Sequence, residues 1–542
     1  MDISRELGIE LSPSIADSLR VVLNTASIGT VDEVVPPDVM FAKHDVERSL
    51  EAVLSAIRRR RNRKALINAF PVEVLSTIFR FYAGSLRLED RSLRNVVLHV
   101  CHHWRQVALA DCVLWREVHI TSSRADEILA DLLTRTRSVS LAVDVTLSAV
   151  ANDGIMICTP PDRCARAGAV IAQHLDRIES LILSFNDTQA HPLLSALTVP
   201  APRLHRLGLY LDVDHSEGQW LDIPRSIFQR VTGPVRRLHL ENIRPPDRRH
   251  FLLPGLEELC LTGNETALSV PSMDDMFAAC PQLKAASFMQ LKFDSIEEFS
   301  SQKWRCPTLG AVSLDNLETK TTIHLLGHLP LAKIPSLTLH CFSPEPRLRD
   351  LLIPLFNLDS FAHPPDFISV RGDFPEDDVR VEVRDGSFAR IVAVSVRSDA
   401  GAHEPWETLL RVLQDQKLFA GVKHLHISVG MWPGVLRGFT ASHTLRVLTL
   451  EVAEDTLLQF QPCIPVEGAT AFYCPALELL NITSPQPTSL GAYLLLAFLE
   501  LSIRYGAERL ECLTLDNVSV EPGPAFDAAL DHVCKVEFVN RM

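Results

Sequence analysis

The nonapeptide Leu256-Glu257-Glu258-Leu259-Cys260-Leu261-Thr262-Gly263-Asn264 places apolar residues in the order apolar-x-x-apolar-x-apolar. Leu259 and Leu261 alternate with polar neighbours, the period of a strand with one buried face. The same six-residue unit begins again at Ile178, Leu204, Val235, Leu283, Leu309, Ile334, Ile391, Val422, Leu445, Leu477 and Leu510. Most neighbouring starts lie between 21 residues apart, as from Val235 to Leu256, and 33 apart, as from Leu477 to Leu510. A single strand with a return segment cannot bury its apolar face alone, whereas stacked copies form one continuous core. The spacing therefore predicts parallel strands in a repeat array rather than unrelated domains.

Those periods are those of leucine-rich repeats, and residues 121–542 are expected to form an irregular leucine-rich-repeat-like α/β solenoid with parallel strands. Asn264 stands where a side chain can satisfy backbone groups of the turn, but Asn242, Asn316 and Asn517 follow the last apolar position by two residues instead of three. That offset predicts irregularity. The wide gap from Ile334 to Ile391 predicts at least one degenerate unit. Cys280-Pro281, Cys306-Pro307 and Cys474-Pro475 precede units and read as buried repeat cysteines, since no second ligand lies at metal spacing. Residues between the apolar positions of a solenoid strand face its concave side. The expected target-binding face includes Arg206, Arg237, His239, Glu258, Ser313, His424, His426 and Asn481. His424 and His426 share a face at metal-ligand spacing, but no third ligand is evident, so neither metal nor other cofactor is expected.

Upstream, Phe70–Trp115 is dense in apolar residues. Pro71 suits a first helical position and Glu73 the first turn, where the helix dipole favours an anion. Val74, Leu75, Ile78, Phe79 and Tyr82 recur at three- and four-residue steps, and Gly84 marks the expected stop. A second cluster, Val96 to Cys101, leads to Trp104, Val107 and Ala108, and Leu114-Trp115 closes the segment. So much apolar surface in so short a span should be partly buried against another domain or a partner.

The strings FPVEVLSTIF from Phe70, VCHHWRQVAL from Val100 and LW at Leu114-Trp115 stand in one order and spacing. They resemble the F-box family, specifically the F-box-like proteins with C-terminal repeats abundant in mushroom-forming fungi. The resemblance implies a small all-α three-helix module over 67–120. It also implies an adaptor-binding surface on Phe70, Pro71, Glu73, Val74, Leu75, Ile78, Val100, Cys101, Trp104 and Arg105, docking a Skp-type adaptor and through it a cullin. Two departures are Phe70, where the family usually has Leu, and His102-His103, where it often has Arg or Lys. The implied function is a non-catalytic substrate-recognition adaptor of a cullin-RING ubiquitin ligase, its repeats binding an unknown protein target. The alternative is a leucine-rich-repeat scaffold whose F-box-like module serves another assembly.

The remaining sequence narrows the classes. A net charge of -14 disfavours a general nucleic-acid binder. The apolar stretch Gly491–Ile503 is too short to span a bilayer and contains Glu500, so no membrane partner is expected. Twelve cysteines without CxxC spacing, and an N-terminus MDISRELGIE without a basic-then-apolar pattern, point to reduced thiols in cytoplasm or nucleus. There is no P-loop, nucleophile elbow or HExxH motif, and the chain reads as non-enzymatic. Residues 1–43, with Pro36-Pro37, read as a poorly structured lead-in. Residues 44–66 read as an amphipathic helix ending in the basic run Arg58 to Lys64, which is either a nuclear-import signal or a solvated helix end.

Overall fold

The computed structural model describes residues 51–539, excepting 52–53, 56, 59, 63, 86–95, 122–123, 151–155, 213–220, 225–226, 231–234, 245–253, 264–266, 269–276, 279, 294–303, 305–306, 343–347, 362, 373–377, 396–404, 433–440 and 453–470. The lead-in, the start of the expected 44–66 helix, Asn264 and Cys306 lie outside the described residues. Two compact units emerge: the described residues up to His119 with Asp131–Val139, and Ile120–Ala130 with Ser140 onward. A single cut at residue 120 therefore misses the return of 131–139 to the first unit, where Leu132 packs against its core.

In the first unit, helical backbone described between residues 51 and 62 gives way to a 3-10 turn at Leu66–Ala69, so Leu66 is not helical as expected. Asn68 Nδ2 donates to the Asn62 carbonyl at 2.6 Å and satisfies a group left open at that helix end. Helix α1, Val72–Ser85, starts immediately after Pro71, whose carbonyl accepts from Val74 and Leu75 N–H groups at 3.0 and 3.1 Å. It runs through Gly84 rather than stopping there. Helices α2, Val96–Val100, and α3, His102–Ala110, follow. Leu75, Phe79, Val97, Val107, Ala108, Leu114 and Trp115 form the buried core, with Trp104 packed on it. The Phe79 and Trp104 ring centroids are 4.9 Å apart, and Trp115 Nε1 donates to the Ala108 carbonyl at 2.8 Å. Both tryptophan rings thus bury apolar area while their Nε1–H groups find acceptors.

The second unit is a parallel-strand-rich, α/β solenoid-like sheet with helices between strands. Its ladder runs β1 (Leu141–Thr146), β2 (Ile178–Asn186), β3 (Arg206–Asp212), β4 (Arg237–Glu241), β5 (Glu258–Thr262), β6 (Ala285–Met289), β7 (Ala311–Asp315) and β8 (Ser336–Phe342), each parallel to the next. Register stacks the inward positions: Leu207, Leu238, Leu259, Ala286, Val312 and Leu337 form one row, each buried. Asn242, Asn316 and Asn517 take positive φ of 57°, 52° and 56°, and Gln290 occupies the matching place after β6 at 53°. Asn tolerates this left-handed conformation better than most residues. The N–H groups of Asn242, Gln290 and Asn316 then donate to the following strand at 2.8 to 2.9 Å. The offset read as irregularity is thus a shared turn.

Past β8 the ladder inverts. Strands β9 (Phe367–Gly372), β10 (Asp378–Arg384) and β11 (Ala389–Ser395) form an antiparallel meander, with β8 pairing β11 and β9 pairing β12 (His424–Ser428), both in parallel. Parallel pairing resumes through β13 (Val447–Glu451), β14 (Leu479–Leu490), β15 (Cys512–Val520) and β16 (Val536–Val539). The gap expected to hold a degenerate repeat holds this meander. The unit read from Ile391 begins four residues too late: Arg390 and Val392 stand opposite Leu337 and Leu339, so Arg390, Val392 and Val394 face inward and Ile391 is half-buried.

An arginine can occupy an inward position because both terminal nitrogens donate to backbone carbonyls. Arg390 is 0% exposed; Nη1 donates to the Ile334 carbonyl and Nη2 to the Leu331 carbonyl, each at 2.9 Å. Both acceptors bound the 3-10 turn Leu331–Lys333. The guanidinium also lies 5.4 Å from the Phe361 ring centroid and 5.3 Å from that of Phe388. Burial pushes its pKa down to about 10, which still leaves it cationic at neutral pH.

Candidate functional site

Helix α1 carries two apolar stripes. Leu75 and Phe79 face the core, while Val74, Ile78 and Phe81 are 41%, 38% and 81% exposed. Spacing of four and three residues places the exposed three on one helix face. Phe70 and Val100 are exposed as well, as are Pro71 and Glu73. Leu75 is corrected here: a fully buried side chain holds the module together and offers nothing to a partner.

The other expected contact residues have local duties. Cys101 caps α3, its Sγ accepting from the Trp104 N–H at 3.5 Å. Trp104 Nε1 donates to Asn68 Oδ1 at 2.6 Å, so Asn68 joins the preceding helix end to α3. Arg105 Nε donates to the Leu98 carbonyl at 2.8 Å and its side chain remains exposed. Arg80 makes a two-pronged contact with the buried Asp111, both distances 2.8 Å. This pair ties α1 to the residue after α3, a geometry that gives hydrogen bonds to a carboxylate their extra strength. Asn68, Arg80, Phe81 and Asp111 escape a reading by motif; only Phe81, one of four aromatics between Phe70 and Tyr82, carried a sequence signal.

On the second unit, Arg206, Arg237 and Glu258 are exposed cross-strand neighbours, and His239 and Ser313 are half-buried in adjoining rows. These five line a cavity of about 380 Å³ over β3 to β8. His424, His426 and Asn481 lie apart, on β12 and β14. Arg371 Nη2 donates to His426 Nδ1 at 3.1 Å, and His426 Nε2 faces Glu451 Oε2 at 3.1 Å. The His426 contact, aided by Arg371, holds the Glu451 carboxyl below the usual range against the opposing effect of burial. His426 is thus placed between Arg371 and Glu451 as a structural link. Among the described residues no group of three or more His, Cys, Asp or Glu is placed to hold a metal ion.

Burial pushes the Cys280 thiol up to about 11 and the Cys474 thiol up to about 12, keeping both protonated at neutral pH. Because the folded values lie above the ordinary value of 9.0, the stability linked to these thiols is full below pH 9 and is lost as pH rises toward 11 and 12. Brief iodoacetamide treatment at pH 8, read by peptide mass spectrometry, is expected to label exposed Cys158 and Cys534 and spare buried Cys164, Cys280 and Cys474. Equal labelling of the buried three would contradict this packing.

No curated protein matches the chain. A family match covers helices α1 to α3 and the strand residues just beyond them, including the core around Phe79, Trp104 and Trp115. Residues 67–121 form an F-box-like domain.

Proposed function

We propose that this protein is a substrate-recognition adaptor of a Skp-cullin-F-box ubiquitin ligase, in which the F-box-like domain docks a Skp-type adaptor and the sheet unit holds a protein target. The observation that carries this reading is the exposed stripe Val74, Ile78 and Phe81 on α1 of an F-box-like domain, in which Phe70 and Val100 are exposed as well. An isolated exposed side chain is ordinary, but a contiguous run of large apolar residues at helical spacing favours burial by a partner. We read the second unit as an irregular leucine-rich-repeat solenoid of the kind that accompanies F-boxes in fungi. Joining the two tasks in one chain raises the effective concentration of target lysines beside a ubiquitin-loaded enzyme. The role requires no catalytic residue. The free cysteines suit a reducing compartment, cytoplasm or nucleus.

The test is capture of a purified Skp-type adaptor by the full chain, followed by addition of cullin. Retention of both supports the reading. A folded chain that captures neither reduces the module to part of a scaffold.

A further inference from the structure

The outward face of β3 to β8 is uneven. Across β6 to β8 the outward residues that line the cavity are small, with Ser287, Ser313 and Thr338 in register, so the cavity of about 380 Å³ is a trough running across the strands. Five strand-to-strand steps at about 4.8 Å make it about 24 Å long, the length of about seven extended residues.

The two ends differ in charge. Arg206 and Arg237 stand at one end, and Glu258 pairs with Arg237 at 3.1 Å, leaving one formal positive charge in surplus from these three groups. Arg206 makes no ion pair among the described residues. Beside it, Tyr210 Oη lies 2.9 Å from His239 Nδ1. Burial, with Arg206 adding to it, holds His239 below the usual imidazole range, so the ring is neutral at pH 7. His239 Nε2 is shielded from solvent, so the ring walls the trough beside Arg206.

We propose that the trough binds an extended target segment of about seven residues, with one Asp or Glu side chain held by Arg206 and the rest of the segment lying over Ser313 and Thr338. The inference rests on the receptor reading and names the chemistry of its target. A single carboxylate balances the surplus charge, whereas a phosphate carries about −1.5 to −2 and would crowd Glu258.

The test pans the full chain against a display library of random seven-residue peptides. Selected peptides should share one acidic position. Arg206→Glu, an exposed charge reversal, should weaken a selected peptide at least tenfold by fluorescence polarisation and shift selection toward Lys or Arg. Ser313→Trp, shown folded by its thermal transition, should fill the trough and remove selection. Peptides without an acidic position, a phosphoserine peptide preferred over its Asp counterpart, unchanged selection by Arg206→Glu, or no selection by the folded chain would each overturn the proposal. Adaptor capture on the same preparation separates the two readings: a chain that holds adaptor but selects no acidic peptide keeps the receptor role and loses this inference.

Discussion

Replacing Ile78 and Phe81 together by Asp is expected to leave the chain folded and to weaken adaptor capture at least about a hundredfold, roughly 2.7 kcal/mol. Both side chains are exposed on the same face of α1, so neither substitution buries a charge in the free protein. In a complex both positions would be desolvated, and central apolar anchors of interfaces typically cost about 2 kcal/mol or more when lost. Phe79→Asp is the informative contrast. Phe79 is 1% exposed and stacks near Trp104, so the same chemistry one helix position away should unfold the module. Isothermal titration of purified adaptor, with circular dichroism on each variant, reads both effects. Full affinity in the double variant would move the docking surface off α1.

Arg390→Ala is expected to lower the stability of the sheet unit by about 3 kcal/mol. The substitution leaves the Leu331 and Ile334 carbonyls without the donors that now reach them at 2.9 Å. An unmet buried acceptor costs about 1–3 kcal/mol, and the cavity left by the side chain adds to this. Arg390→Lys should recover little, because one ammonium cannot reproduce a planar fork that serves two carbonyls and faces two rings. Urea unfolding measures this directly, and a change under 1 kcal/mol for Arg390→Ala would contradict the account of the meander.

Why the sequence leads to eleven of these strand registers and not the twelfth can be traced to particular residues. At Leu256–Leu261 or Leu445–Leu450 the apolar positions alternate with polar ones, so the period names the buried face. In Ile391-Val392-Ala393-Val394 every position is apolar and either register is allowed by type. The deciding contact, Arg390 to carbonyls 56 and 59 residues earlier, is non-local. The antiparallel meander escaped for the same reason, since β-branched runs do not declare the direction of their neighbours. In the F-box-like domain, Val74, Leu75, Ile78 and Phe79 make a broad apolar face on which composition cannot separate core from surface. Leu75 fell on the wrong side of that division. Phe81 lies two residues beyond the matched string, and Asn68 acquires its role only through Trp104, 36 residues on.

The most direct measurement of the central claim is hydrogen–deuterium exchange of the full chain with and without purified Skp-type adaptor. The account predicts new protection confined to the backbone of residues 70–82 and 96–105, with exchange across β3 to β8 unchanged. Binding that protects the sheet unit and leaves α1 unprotected, or no protection anywhere at saturating adaptor, would contradict it.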